Sequence, residues 1–141
     1  MQAKELATQL RVGNHILYMG RPMRCRAETI HAISKCHGDT FMYQPMLIEE
    51  NHLRQLSFHE KIEDTPVPLG KRILFVRNTI SQYFEVIVYR ERDFFTVKIK
   101  QLAGSDAGIT HFKCLFIHEL ENLYSIITKE ELLKSQNAVL K

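Results

Sequence analysis

The chain has no tryptophan, and its 141 residues hold only six glycines, four prolines and three cysteines. The aromatic part of a core must therefore come from Phe and Tyr. Cys25, Cys36 and Cys114 are an odd number at wide spacing, whereas small secreted proteins built on disulfides carry even, dense sets. They read as reduced thiols packed as small hydrophobes. Nothing approaches the roughly 18 consecutive apolar residues of a membrane-spanning helix. The opening Met1-Gln2-Ala3-Lys4-Glu5-Leu6 lacks the apolar core and cleavage site of a secretory signal. A cytoplasmic protein with no membrane partner is expected. No Gly-rich phosphate loop, Walker motif or dinucleotide fingerprint is present, so no cofactor is called for.

What is present is enough for one domain with a sizeable core. The formal net charge is only +3, but it is unevenly placed. Residues 1–48 carry six Lys/Arg against three Asp/Glu, and residues 71–100 carry seven against three. Between them, residues 49–70 are acidic, with two against five, and residues 101–141 carry four against five. Two basic segments are compatible with a basic face but do not make one by themselves.

Gln2 to Gln9 reads as a lead-in with little helical character. Leu10 to Met19 reads as a strand bent at Gly13-Asn14, Gly20-Arg21-Pro22 as a turn, and Met23 to Ile30 as an alternating strand. The resulting hairpin is of the kind that begins small SH3-like barrels. A turn at His37-Gly38-Asp39 and a short strand at Phe41-Met42-Tyr43 follow. Pro45 to Phe58 shifts to helical spacing and predicts a helix of about three turns, with Glu49 and Glu50 favouring its dipole. Glu63 to Gly70 breaks regular structure with two prolines and a glycine. Three strongly β runs come next: Arg72–Arg77, Tyr83–Arg90 and Phe94–Lys100. In the third, Phe95, Val97 and Ile99 share the core face. After the loop Gly104–Gly108, the residues Phe116, Leu120, Leu123, Tyr124 and Ile127 recur at helical spacing. Thr128 and Glu131 have the form of a capping box, which predicts a second short helix. The fold class is α+β: an SH3-like N-terminal β-hairpin unit, a central helix, an antiparallel sheet and a C-terminal helix. It forms a single domain over residues 1–141, which could divide into sub-units 1–62 and 71–141 across the Pro/Gly loop.

Three segments resemble one group of small bacterial proteins of no assigned function, often found in prophage or mobile-element settings. Leu10-Arg11-Val12-Gly13-Asn14 is similar to its "LRIGN" opening, and Pro45 to Phe58 to its "PIPLTEEWLLKFGF" helix. Ile117-His118-Glu119-Leu120-Glu121-Asn122-Leu123-Tyr124 to Leu132 is similar to its "VHQLQNLYFALTGEEL" tail. Here Ser57 and Lys129 stand in place of Gly, and Glu119 and Glu121 in place of Gln. The resemblance implies a fold and a setting but assigns no catalytic residue.

Among constellations, His111, Cys114 and His118 come nearest to a zinc site, with Cys25, Cys36 or His37 as a distant fourth ligand. The paired knuckles of structural zinc are absent. Cys36-His37 lacks an orienting acid, and neighbours in sequence point apart, so no catalytic residue is assigned. The basic features have more substance. Arg21, Arg24 and Arg26 cluster on the first hairpin, Arg90 and Arg92 sit at a hairpin tip, and Lys98 and Lys100 extend along one strand face. With Tyr18, Tyr83 and Phe94 nearby, these would suit single-stranded nucleic acid. The competing explanation is a solvated sheet face that protects an edge from aggregation. The leading expectation is a small non-catalytic accessory or adaptor protein acting through protein contacts, with an unidentified partner or a second copy of itself. Self-association would use the exposed strand of the second hairpin or the outer face of the tail helix. A nucleic-acid-binding module comes second, and a metalloprotein or enzyme third.

Overall fold

The structure, a computed structural model, describes residues 1–36, 42–65, 70–102, 108–133 and 138–141. The expectations for the turn at His37-Gly38-Asp39, for Phe41, for Pro66 to Leu69 and for Ala103 to Ala107 lie outside the described residues. In chain order the elements are α1 (Ala3–Gln9), β1 (His15–Tyr18), β2 (Arg21–Arg24), α2 (Ala27–Ser34), β3 (Tyr43–Pro45) and α3 (Glu50–Gln55). Then follow β4 (His59–Asp64), β5 (Lys71–Asn78), β6 (Phe84–Arg90), β7 (Phe95–Gln101), β8 (Ile109–Cys114) and α4 (Ile117–Thr128). The class is α+β, with one three-stranded and one five-stranded antiparallel sheet. No helix of the described residues is long and apolar enough to cross a membrane.

The chain forms two compact units. Unit 1 comprises residues 1–47, 116–126 and 131–141, and unit 2 comprises residues 48–115 and 127–130. The boundary does not fall at the Pro/Gly segment, because β4 and β5 pair across it inside unit 2, from His59↔Val76 to Asp64↔Lys71.

In unit 1 the sheet order is β2-β1-β3, and no closed barrel forms among the described residues. Ala3, Leu6, Leu10, Ile16, Cys25 and Ile33 make its core, so the expected lead-in is a helix with a buried face. The hairpin turn lies at Met19-Gly20, where φ is 49° and 78°. Arg21 and Pro22 are already paired with Tyr18 and Leu17. The alternating run from Met23 to Ile30 does not continue as strand. Cys25 donates its N–H to the Asn14 carbonyl at 2.7 Å, and at Arg26 the chain turns into α2, with the Thr29 hydroxyl accepting the Arg26 N–H at 3.2 Å.

In unit 2 every strand pairs with its sequence neighbour, in the order β4-β5-β6-β7-β8. Phe95, Val97 and Ile99 are buried as expected, together with Phe75, Val86 and Val88. Helix α3 is shorter than its apolar pattern suggests. Ile48 is held extended by donating to Leu115 O at 3.0 Å, and Glu49 is extended at φ −125°. The helix ends in a two-bond cap, Phe58 N–H to Leu53 O (3.0 Å) and Ser57 N–H to Arg54 O (3.1 Å). Its side over the sheet is marked by Arg54, 5.7 Å from the Phe75 ring. The second tail helix expected at Thr128 does not form over Lys129–Leu133. Thr128 ends α4, its hydroxyl accepts the Glu130 N–H (3.2 Å), and Lys129 takes a φ of 62°. Glu130 instead caps the β5–β6 turn, accepting from Ile80 N (2.9 Å) and Ser81 N (3.1 Å).

Candidate nucleic-acid interface

Strand alternation and register assign each residue of the five-stranded sheet to one of two faces. The face that carries Val97, Val88 and Phe75 is core. The opposite face carries Lys61 and Glu63 of β4, Arg72 of β5, and Glu85 and Tyr89 of β6. β7 adds Lys98 and Lys100, and β8 adds His111 and Lys113. His59, at the start of β4, shares this face. Five Lys/Arg stand against Glu63, Glu85 and, just beyond the end of β6, Glu91, whose carboxylate accepts from the Thr96 hydroxyl of this face at 3.4 Å, leaving +2 (5 − 3) with two imidazoles besides.

Tyr89 is the centre of the arrangement. The Arg72 guanidinium lies 3.9 Å from its ring centroid and the Lys98 ammonium 5.2 Å, so the ring is 6% exposed. Arg72 also donates twice to Glu63 Oε2, at 2.7 and 3.2 Å. The hydrogen bond from Arg72 is the main reason the Glu63 carboxyl stays below its usual range, helped by the charges of Arg72, Lys98 and Lys61. The same bond raises Arg72. Lys113 sits 4.8 Å from the Phe94 ring. Beside this cluster, an open groove of ≈ 600 Å³ is lined in part by His59, Lys61, Val76, Asn78 and Glu85.

Of the residues singled out from sequence, Lys98 and Lys100 belong to this face. Arg90 does not: it pairs with Phe95 and so lies on the core side, at the exposed end of β6. Arg92 is exposed in the β6–β7 turn. Arg21, Arg24 and Arg26 are in unit 1. Arg24 is half-buried and donates from Nε to the Gly13 carbonyl at 2.9 Å, bracing a loop where Gly13 has φ 95°. Arg26 leaves the strand and starts α2. Lys61, Arg72 and Lys113 went unnoticed in the sequence, since only strand parity links them to Lys98.

No protein family, characterised protein or solved structure matches this chain.

The zinc set does not assemble. His111 and Cys114 alternate to opposite faces of the sheet, one exposed and one buried, while His118 belongs to unit 1. Among the described residues no group of three His, Cys, Asp or Glu could hold a metal ion. Cys36 is half-buried behind α2 with its Sγ directed to Ala32 O (3.4 Å), and His37 lies outside the described residues. Burial, with the Glu121 charge adding, pushes the Cys25 thiol up to about 12, which leaves it without thiolate character.

The tail motif has a structural role inside unit 1. Glu121, buried on α4, accepts the His15 N–H (2.8 Å) and bonds His15 Nδ1 (2.9 Å). His15 Nε2 accepts the Leu140 N–H at 3.2 Å, which fixes the ring proton on Nδ1. Asn122 bonds Asn14 (2.9 Å) and donates to Gln9 O (2.9 Å), and His118 Nε2 bonds Gln9 Oε1 (2.9 Å). Burial pushes the His118 imidazole below its usual range, against the upward pull of Glu119 and Glu121. One face of α4 thus ties down the loop ahead of β1, and no sequence pattern announces that pairing.

Proposed function

We propose that the chain is a cytoplasmic, non-catalytic accessory protein, of the mobile-element setting that its segments resemble, whose five-stranded sheet binds the phosphate backbone of nucleic acid. The observation that carries this reading is the gathering of Lys61, Arg72, Lys98, Lys100 and Lys113 on one sheet face against Glu63, Glu85 and Glu91. Lysines act as point charges toward phosphate and carry no base code. Tyr89, covered by Arg72 and Lys98, offers no stacking platform, so binding is ionic and indifferent to sequence.

A mobility-shift titration at two or more salt concentrations tests it. Wild-type affinity should fall steeply with salt. Lys100→Gln/Lys113→Gln, at two exposed positions, should weaken binding to all sequences alike and flatten the salt slope by about 2. Arg21→Gln/Arg26→Gln should change nothing. Absence of a shift at low salt, or an unaltered slope in the lysine variant, overturns the reading. Contact with another protein chain is a second reading, favoured by the open edge of β4.

A further inference from the structure

β4 pairs with β5 on one side and with no strand of the described residues on the other, and His59 to Ile62 are all exposed. The direction of its free hydrogen-bonding groups follows from the turn beyond it. Thr65 donates its N–H to Gly70 O at 2.8 Å, and this pair continues the register in which Asp64 faces Lys71 and Glu63 faces Arg72. In an antiparallel ladder a residue sends its N–H and C=O to the same side, and the next residue sends them to the other. Glu63, Lys61 and His59 therefore direct theirs to β5. Glu60, Ile62 and Asp64 direct theirs outward.

The geometry points to this edge pairing with the same edge of a second copy of the chain, antiparallel about a twofold axis through Ile62. In that register Ile62 exchanges both main-chain bonds with its counterpart, and Glu60 and Asp64 do so with each other, giving about six bonds. Between them Lys61 of each copy comes opposite Glu63 of the other, at the spacing where side chains approach most closely. On the opposite face Ile62 and its ladder partner Ile73, 67% and 43% exposed, meet their counterparts in one apolar cluster. A slip of two residues sets Lys61 against Lys61 or Glu63 against Glu63. A slip of one sets outward groups against inward ones and sends the isoleucines to different faces. One register is therefore selected. Glu60 and Asp64, which do come together, each have a cation on their own chain: Arg54 pairs with Glu60, and Lys71 faces Asp64 across the ladder. A charged edge strand ordinarily discourages pairing; this one is complementary to itself. Pairing would also join two basic faces into one continuous surface, although the inference does not depend on what that surface binds.

Sedimentation over a dilution series, without nucleic acid and up to about 1 mM, the weak end for a specific contact, reads the outcome. The wild type should show a dimer that dissociates on dilution. Lys61→Glu and Glu63→Lys each place like charges at both contacts and should be monomers. Mixed in equal amounts they should form a dimer of one each, which also shows that both are folded. Ile62→Pro removes only an outward N–H and should be monomeric. The proposal is overturned by a wild type that stays monomeric throughout, by a dimer that persists in Ile62→Pro or in either charge variant, or by a mixture of folded variants that stays monomeric.

Discussion

Replacing Ser57 with glycine should stabilise the protein. Ser57 follows the last turn of α3 at φ 66°, and the bonds Phe58 N–H to Leu53 O and Ser57 N–H to Arg54 O hold it there. Leu53 and Phe58, which flank this cap, are both buried, so the local packing fixes the backbone and a serine must adopt it. An L-residue in this conformation costs about 1–2 kcal/mol. Glycine escapes that cost but gives back about 0.5–1 kcal/mol through its freer unfolded chain. The net gain is about 0.5–1 kcal/mol, a rise in Tm of about 2–4 °C for a chain of this size. Thermal melting followed by circular dichroism can resolve it. Ser57→Ala should leave Tm almost unchanged, since alanine meets the same steric limit, and Ser57→Val should lower it. A Ser57→Gly protein that melts no higher than wild type, with Ser57→Val no lower, would refute the argument. Lys129, at φ 62° directly after α4, should respond to glycine in the same way.

Glu121→Ala strips the buried His15 N–H and Nδ1–H of their acceptor and, at about 1–3 kcal/mol for each donor left unsatisfied, should lower stability clearly in urea unfolding, with Glu121→Gln costing less. His118 is held neutral by burial, so its folded pKa lies below the unfolded value of about 6.5 and the unfolded state takes up the proton first. Its contribution is complete above about pH 6.5 and is lost as pH falls toward the folded pKa; urea midpoints measured from pH 7.5 down to 5 should fall, and less so in His118→Gln. With Cys25 raised to about 12 and Cys114 buried, a thiol reagent at mildly alkaline pH should label half-buried Cys36 first, as peptide mass spectrometry would show.

The strands β5 and β6 were legible as short unbroken runs of β-branched and aromatic residues, β7 because its apolar residues alternate cleanly, and α4 because Leu120, Leu123 and Tyr124 keep helical spacing. β4, reading His-Glu-Lys-Ile-Glu-Asp, was hidden because it is an outer strand with hardly any buried surface, so no apolar period marks it. β8 is concealed for the same reason: only Cys114 of its six residues is buried. α2 was misread because Met23-Arg24-Cys25-Arg26-Ala27 alternates across the end of a strand and the start of a helix, and that helix fully buries only Ile33. Half of the candidate interface suffered with them. Lys98 and Lys100 share a face by simple alternation. Lys61 and Lys113 sit on the two unrecognised strands, and Arg72 joins them only through ladder register.

Unit 1 is assembled from sequence-distant pieces: Asn14 meets Asn122 across 108 positions, and His15 meets Leu140 across 125. The chain leaves this unit at Leu47 and returns at Phe116, and those two residues are bridge partners. Unit 2, by contrast, is a meander of neighbours with little loop entropy to overcome. During synthesis the sheet can close once β8 has emerged, while residues 1–47 wait for α4 before Gln9, Asn14 and His15 have their hydrogen-bond partners. A ribosome that stalls, or a protease that cuts, ahead of Ile117 would release a chain with an intact sheet and a stranded beginning. Surveillance of this protein by chaperones and proteases would then act on residues 1–47.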